Sequence, residues 1–139
     1  MRYLLDTMLV GELRRPAGEP AVKRWVSRRP AEDLHISVIT VIEAELGVLG
    51  LERKDPPQGR VLREWFESRL LPGFAGRILP LDLEAARRVV APLHVPDRAP
   101  AHDALIAGTA LAHGLTLVTR NTADFARAGV PLIDPWDAA

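Results

Sequence analysis

The 139-residue sequence contains no cysteine, which excludes a disulfide scaffold, a thiolate zinc site and a cysteine nucleophile. Eighteen basic residues balance eighteen acidic ones, so any contact with a polyanion must come from a local patch. Only Lys23 and Lys54 are lysines, and neither lies where strand ends would gather. No apolar run approaches the ~20 residues of a membrane span, and Asp6 interrupts any signal-peptide core. We therefore expect a cytoplasmic protein with no membrane contact.

Hydrophobic residues make up 47% of the chain and charged residues 26%, a balance typical of a globular protein with a substantial core. The length predicts a single domain over residues 1–139. Short apolar runs alternate with helical patterns, and the prolines at 95–100 predict a loop there. Strands are predicted at 2–5, 34–38, 77–81, 115–119 and 130–133, and helices from Thr7 and at 21–27, 40–51, 59–71, 82–93, 103–113 and 122–128. This order predicts an α/β fold with a parallel sheet covered on both faces.

Three carboxylates stand in apolar surroundings. Asp6 follows the first strand, where it is either a helix cap or a functional acid at the ligand-binding edge of the sheet. Glu43 lies three residues after Thr40, which fits a capping box as well as a functional role. Asp103 opens a helix of small and apolar residues, where it either complements the helix dipole or holds a cation. Glu45 lies on another face of its helix, and we expect it to be solvated.

A fourth polar region follows the predicted strand at 115–119. Thr119, Asn121 and Asp124 all present oxygen atoms at the edge of the sheet that also carries Asp6. Oxygen ligands without a histidine or cysteine cluster favour a hard ion, Mg²⁺ or Mn²⁺. The four histidines have no metal-ligand spacing. His102 lies beside Asp103, where it either supports the site or, as we favour, is a loop residue.

Four segments in order resemble the PIN-domain nucleases, and in particular the VapC-like toxins of bacterial toxin–antitoxin pairs. They are LLDT at 4–7, SVITVIEAELG at 37–47, DALIA at 103–107 and LVTRNTADF at 117–125. FAGRILP at 74–80 and LIDPW at 132–136 are most similar to the FitB-like branch of that family. The resemblance implies a Rossmann-like three-layer sandwich with a central parallel sheet of about five strands. It also implies a Mg²⁺-dependent endoribonuclease, with Mn²⁺ as a possible substitute, that hydrolyses RNA by metal-activated water.

The resemblance also assigns roles to individual residues. The implied catalytic acids are Asp6, Glu43, Asp103 and Asp124, and the implied metal ligands are Asp6, Glu43, Asp103 and Asn121. Whether Asn121 or Asp124 fills the fourth position stays open. Thr7 and Thr119 are expected to support these acids from beside them. Met8 replaces the polar residue that usually follows LLDT.

The implied partners are an RNA substrate, a second copy of the chain in a homodimer and a small cognate antitoxin. DNA is expected to be bound only indirectly, through the antitoxin. Trp25 and Trp65 each lie on an apolar helix face, where they are either core residues or part of an interface.

Three other classes are weighed against this one. A phosphoacceptor receiver domain needs paired acids at the first strand and a late lysine, and the chain has neither. A haloacid-dehalogenase-type phosphatase needs an aspartate where Met8 stands. A catalytically weak module that acts with its antitoxin in an autoregulatory DNA complex remains the main alternative.

Overall fold

A computed structural model describes residues 1–94 and 101–137; the predicted loop at 95–100 lies outside these ranges. Five parallel strands form the central sheet: β1 Tyr3–Leu5, β2 Leu34–Ser37, β3 Ile78–Leu79, β4 Thr116–Val118 and β5 Leu132–Ile133. Their spatial order is β3-β2-β1-β4-β5. The structure thus confirms the predicted parallel α/β sheet of five strands.

Eight α-helices connect the described strands, and they cover both faces of the sheet. They are α1 Thr7–Arg14, α2 Pro20–Ser27, α3 Val38–Lys54, α4 Pro56–Trp65, α5 Leu71–Gly73, α6 Leu83–Leu93, α7 Ala101–His113 and α8 Thr122–Phe125. A π-helical turn at Phe66–Leu70 joins α4 to α5. Short 3₁₀ turns span Ala31–Asp33 and Ala126–Ala128.

The side chains of β1 divide between two hydrophobic cores. Tyr3 and Leu5 pack with residues of α1, α2 and the α4 region on one face of the sheet. Leu4 packs with α7 and with Phe125 of α8 on the other face. All three strand residues are buried, as expected for a parallel strand covered on both sides. A helix–sheet–helix sandwich follows from this alternation.

The strand order reverses between β1 and β4. The chain moves outward from β1 through β2 to β3, then returns to the other side of β1 with β4. Leu5 pairs with Val118, and the N–H of Asp6 donates to the carbonyl of Val118 over 3.0 Å. In open parallel sheets, ligands bind beyond the carboxyl ends of the strands at such a switch point.

Several element boundaries differ from the predicted ones. The outer strands β3 and β5 are two residues long, shorter than the predicted 77–81 and 130–133. The helix predicted from Gly59 begins at Pro56 instead, since Asp55 accepts the N–H of Gln58 and proline is well tolerated in a first turn. Gly114 ends α7 with φ +65°, as predicted.

Within the described ranges, the helices all fall short of the length and apolarity that membrane crossing requires.

The close packing of α6 on α7 depends on Gly108. A Cβ atom built there would lie 2.3 Å from Cγ2 of Val89 and 3.0 Å from the carbonyl oxygen of Ala85. We expect Gly108→Ala to lower the free energy of unfolding by about 1–2 kcal/mol, since overpacking outweighs the better helix propensity of alanine. Gly50→Ala in α3, where nothing lies within 4 Å, should raise it by up to about 1 kcal/mol. Urea unfolding with unchanged m-values measures both; equal effects of the two substitutions would contradict the packing argument.

Candidate functional site

Asp6 is the residue at the centre of the candidate site. It follows β1 and caps α1, and its side chain is buried. Its Oδ1 accepts the N–H of Thr7 over 2.8 Å, and its Oδ2 accepts the hydroxyl of Thr119 over 2.7 Å. Burial raises the pKa of Asp6, the Thr119 and Thr7 hydrogen bonds lower it, and the charge of Glu43 raises it further. Asp6 is therefore both the predicted cap and a carboxylate held at the switch point.

Thr119 connects β4 to Asp6. Thr119 is fully buried. Its hydroxyl group donates to Asp6 and accepts the N–H of Asn121. Asn121 precedes α8, and its side chain makes no capping hydrogen bond to that helix. Thr119 thus fixes the orientation of the Asp6 carboxylate.

Glu43 does not form the capping box that its spacing with Thr40 allowed. Ser37 caps α3 by accepting the N–H of Thr40. The Oε1 of Glu43 instead accepts the hydroxyl of Thr7 over 2.6 Å, and the Thr7 and Thr40 hydroxyl oxygens are 2.9 Å apart. The chain of contacts from Asp6 to Thr7 to Glu43 brings β1, α1 and α3 together at one edge.

His102 lies in the first turn of α7, so its assignment to a loop is wrong. Its Nδ1 is 3.3 Å from Oε2 of Glu43, and its side chain is about half exposed. This contact joins α7 to α3 across the site.

Asp103 follows His102 in the first turn of α7 and is partly buried. Burial raises its pKa to about 6, with further increases from the charges of Asp6, Asp124 and Glu43, against a lowering effect of His102. Asp124 is exposed on α8. Asp103 is therefore near enough to the other three predicted acids to be repelled by each of them, which is the condition that a bound cation relieves.

The residues present fit a hard divalent cation in their chemistry. All the candidate donors at this edge are oxygen atoms, from Asp6, Glu43, Asp103, Asp124 and Asn121, as Mg²⁺ and Mn²⁺ prefer. In residues 1–94 and 101–137, no three Asp, Glu or His side chains are already arranged to hold an ion. Binding would therefore need small side-chain movements that draw the carboxylates together.

Glu45 is partly exposed, as predicted, but it also forms an ion pair. One Oε atom lies 2.8 Å from a guanidinium nitrogen of Arg63, and the same guanidinium pairs with Glu52 at 2.9 Å. Glu45 and Glu52 lie on α3 and Arg63 on α4, so these ion pairs connect the two helices. Glu45 belongs to this helix contact and not to the acid cluster.

A surface cavity of about 180 Å³ adjoins the acid cluster on the α1–α3–α4 side. Thr7 and Glu43 lie at its walls, and Trp65 and Arg14 line it as well. The guanidinium of Arg14 lies 5.9 Å from the Trp65 ring centroid. Trp25, by contrast, is buried and packs edge-on against Tyr3 with ring centroids 4.9 Å apart. Of these two tryptophans, Trp65 is thus partly exposed at the cavity and Trp25 belongs to the core.

A family profile described as PIN domain matches residues 3–131. The chain is similar to the VapC ribonuclease Y4jK of Sinorhizobium fredii, with 34% identity over 98% of this chain and 99% of that protein. It is 41% identical to toxin FitB of Neisseria gonorrhoeae over 96% of this chain and 97% of that protein. A solved structure of FitAB bound to an IR36 DNA fragment superposes with a TM-score of 0.88 and 36% identity, covering 99% of this chain and 97% of that one.

The raised pKa of Asp103 makes stability depend on pH. A carboxyl group with a folded-state pKa near 6 stabilises the fold below its unfolded pKa, and this contribution is lost as the pH rises through about 6. We expect Asp103→Asn to melt a few degrees above the parent protein at about pH 8 in EDTA, and the difference to shrink toward about pH 4. Thermal unfolding across this range measures it. Asp33→Asn, directly before β2 at the amino-terminal ends of the strands, should show no such trend. A pH-independent difference for Asp103→Asn would exclude the charge cluster as its cause.

Proposed function

Since the chain belongs to the PIN-domain family, we propose that it is an endoribonuclease, the toxin of a type II toxin–antitoxin pair. The observation that carries this proposal is the acid cluster at the switch point of the sheet, where Asp6, Glu43 and Asp103 converge from three elements. The similarity to proteins named VapC ribonuclease and toxin FitB supports the substrate class and the biological role. We also propose that it acts in the cytoplasm, where its RNA substrates are.

We propose Mg²⁺ as the cofactor, with Asp6, Glu43 and Asp103 as ligands and either Asn121 or Asp124 in the fourth position. When bound, the ion supplies an activated water and neutralises charge on the phosphate. Thr119 and Thr7 hold Asp6 in one orientation, and Thr7 also holds Glu43. Such fixed orientation is what a ligand set needs.

The protonation state of Asp103 decides when the site can bind a cation. With a pKa of about 6 in the metal-free protein, this carboxyl group is partly protonated in mildly acidic solution. A protonated carboxyl group is a poor ligand for a divalent cation. Cleavage should therefore increase as the pH rises toward neutrality.

We propose that the cognate antitoxin binds in the cavity beside Glu43. The cavity combines an apolar wall, with Trp65 and Leu62, and an acidic end at Glu43. An antitoxin segment with apolar side chains and one basic side chain fits both features. The basic group would neutralise the acids in place of a cation and exclude RNA. A homodimer of the chain completes the proposed assembly.

DNA binding is proposed only for the complex with the antitoxin. The chain alone has no net charge, and a DNA-bound structure exists for the similar FitAB. A module that acts only in such a complex is the second candidate function, and RNA cleavage by the purified chain distinguishes the two.

Asp6→Asn tests the nuclease proposal, because it removes the charge of the central acid with almost no change in volume. We expect at least a hundredfold loss of RNA cleavage with an intact fold, because the variant lacks a carboxylate that the proposed metal-dependent hydrolysis needs. Cleavage-site mapping on total RNA and circular dichroism measure the two effects. EDTA should abolish cleavage by the parent protein, and Mg²⁺ should restore it and raise the melting temperature.

Matched variants complete this test. Asp33→Asn makes the same change at the opposite edge of the sheet and should leave cleavage unaltered. Asp124→Asn and Asn121→Ala separate the two candidates for the fourth position, because only the residue that serves there should reduce activity strongly. Full activity of Asp6→Asn would show that the nuclease proposal is wrong.

The antitoxin proposal predicts that affinity and inhibition can be separated. Replacing the basic side chain of the antitoxin by alanine should restore RNA cleavage while most of the affinity persists through apolar contacts. Trp65→Ala in the toxin should do the reverse and weaken binding by about 2 kcal/mol or more, as a buried aromatic anchor does. Calorimetry and cleavage assays measure both, with Trp25→Phe as a core control. Undiminished affinity of Trp65→Ala would place the antitoxin elsewhere.

A further inference from the structure

The acid cluster attracts a cation but repels the phosphates of an RNA strand. A nuclease site of this kind needs a positive group beside the acids to guide the polyanion into place. Arg120 is the residue directly after Thr119, whose hydroxyl donates to Asp6. It is exposed, and it lies at the edge of the sheet that carries the candidate site.

The backbone on either side of Arg120 is fixed. The N–H of Thr119 donates to the carbonyl of Ile133 over 2.9 Å, and the N–H of Asn121 donates to the Thr119 hydroxyl oxygen over 3.0 Å. The backbone direction at Arg120 is therefore fixed, and Thr119, which also orients Asp6, helps to fix it. This connection makes its position a property of the site and not of a free loop.

Trp136 orients the side chain of Arg120. The guanidinium carbon lies 5.8 Å from the centroid of the Trp136 ring, within the range of a cation–π contact. The backbone N–H of Trp136 donates to Oδ1 of Asp134 over 2.9 Å, and the Trp136 ring packs partly against the core. In the part of the chain that the structure describes, no carboxylate forms an ion pair with Arg120. Glu12 of α1 is near enough to interact with the charge of Arg120, but its ion pair is with Arg15. The guanidinium donors of Arg120 are thus oriented without being taken up by an ion pair.

We propose that Arg120 binds a phosphate of the RNA strand next to the cleaved bond, and that Trp136 is a positioning residue for it. The carboxylates of the acid cluster cannot themselves hold a phosphate, because they carry the same charge, and the proposed ion is committed to the cleaved phosphate. A guanidinium is suited to it, since it offers several donors to phosphate oxygens in a fixed plane. This inference rests on the proposed ribonuclease function.

Arg120→Ala tests the proposal through the KM for RNA and its dependence on salt. The probe is a labelled, mixed-sequence single-stranded RNA oligonucleotide, cleaved in Mg²⁺ over a series of KCl concentrations. We expect KM to rise about tenfold with a smaller change in kcat, as the loss of one charge-assisted contact implies. The slope of log KM against log salt should fall by about 0.7, the value for one phosphate contact on a single strand. Arg120→Lys should keep most of the slope, because it keeps the charge.

Two further variants separate this role from a structural one. Arg28→Ala removes an exposed arginine at the opposite edge of the sheet and should change neither KM nor its slope. Trp136→Leu keeps the charge of Arg120 but loses the ring, so KM should rise while the slope is retained. Anisotropy binding of the same oligonucleotide to Asp6→Asn, with and without Arg120→Ala, gives the affinity without cleavage and should show the same tenfold loss.

The outcomes are distinct. If the parent protein cleaves RNA but Arg120→Ala leaves KM and its slope unchanged, the proposal for Arg120 is wrong and the nuclease function stands. A lower melting temperature of Arg120→Ala without any change in the slope would likewise overturn it, in favour of a structural contact with Trp136. If the parent protein neither cleaves nor binds the RNA, both proposals are wrong.

Discussion

The hydrogen bond from Thr119 to Asp6 joins the fold and the site in one contact. A carboxylate as buried as Asp6 must have polar partners, because an unpaired buried charge would cost several kcal/mol. One partner comes from α1, through the N–H of Thr7, and the other from the end of β4. The second exists only if β4 lies parallel and next to β1, which is the arrangement that reverses the strand order. The topology thus makes a buried aspartate tolerable at the position where ligands bind.

The same arrangement leaves an electrostatic imbalance that packing does not resolve. Asp103 is partly buried and faces the charges of Asp6, Asp124 and Glu43, with His102 as an opposing group. Repulsion of this kind lowers the stability of the metal-free fold at neutral pH, and a bound divalent cation converts it into attraction. Groups whose pKa is shifted by burial and by neighbouring charges are typical of functional sites. The raised pKa of Asp103 is what the proposed cation site would lead us to expect.

Much of the fold was predictable from sequence, because its strands are short apolar runs with polar residues at their ends. The positions of Asp6 at the end of β1 and of Asp103 in the first turn of α7 were predictable for the same reason, since each stands out against an apolar background. For Glu43 the residues alone left a capping box and a functional role open, and the hydrogen bond from Thr7 decides against the capping box. The contact of His102 with Glu43 joins residues 59 positions apart, which no local pattern reveals. The exposure of Glu45 was predictable, but its ion pair with Arg63 was not, because Arg63 belongs to the next helix.

Helix α1 carries residues of both the acid cluster and the neighbouring cavity. Asp6 caps it, Thr7 holds Glu43 from its first turn, and Arg14 in its last turn approaches the ring of Trp65. The helix is eight residues long, so these groups lie within ~12 Å along one rigid element. A partner seated in the cavity therefore contacts Glu43 directly, and inhibition needs no conformational change to reach the site. Arg120, which we propose to contact the RNA strand, follows β4 instead, so under that proposal RNA affinity and partner affinity can vary independently.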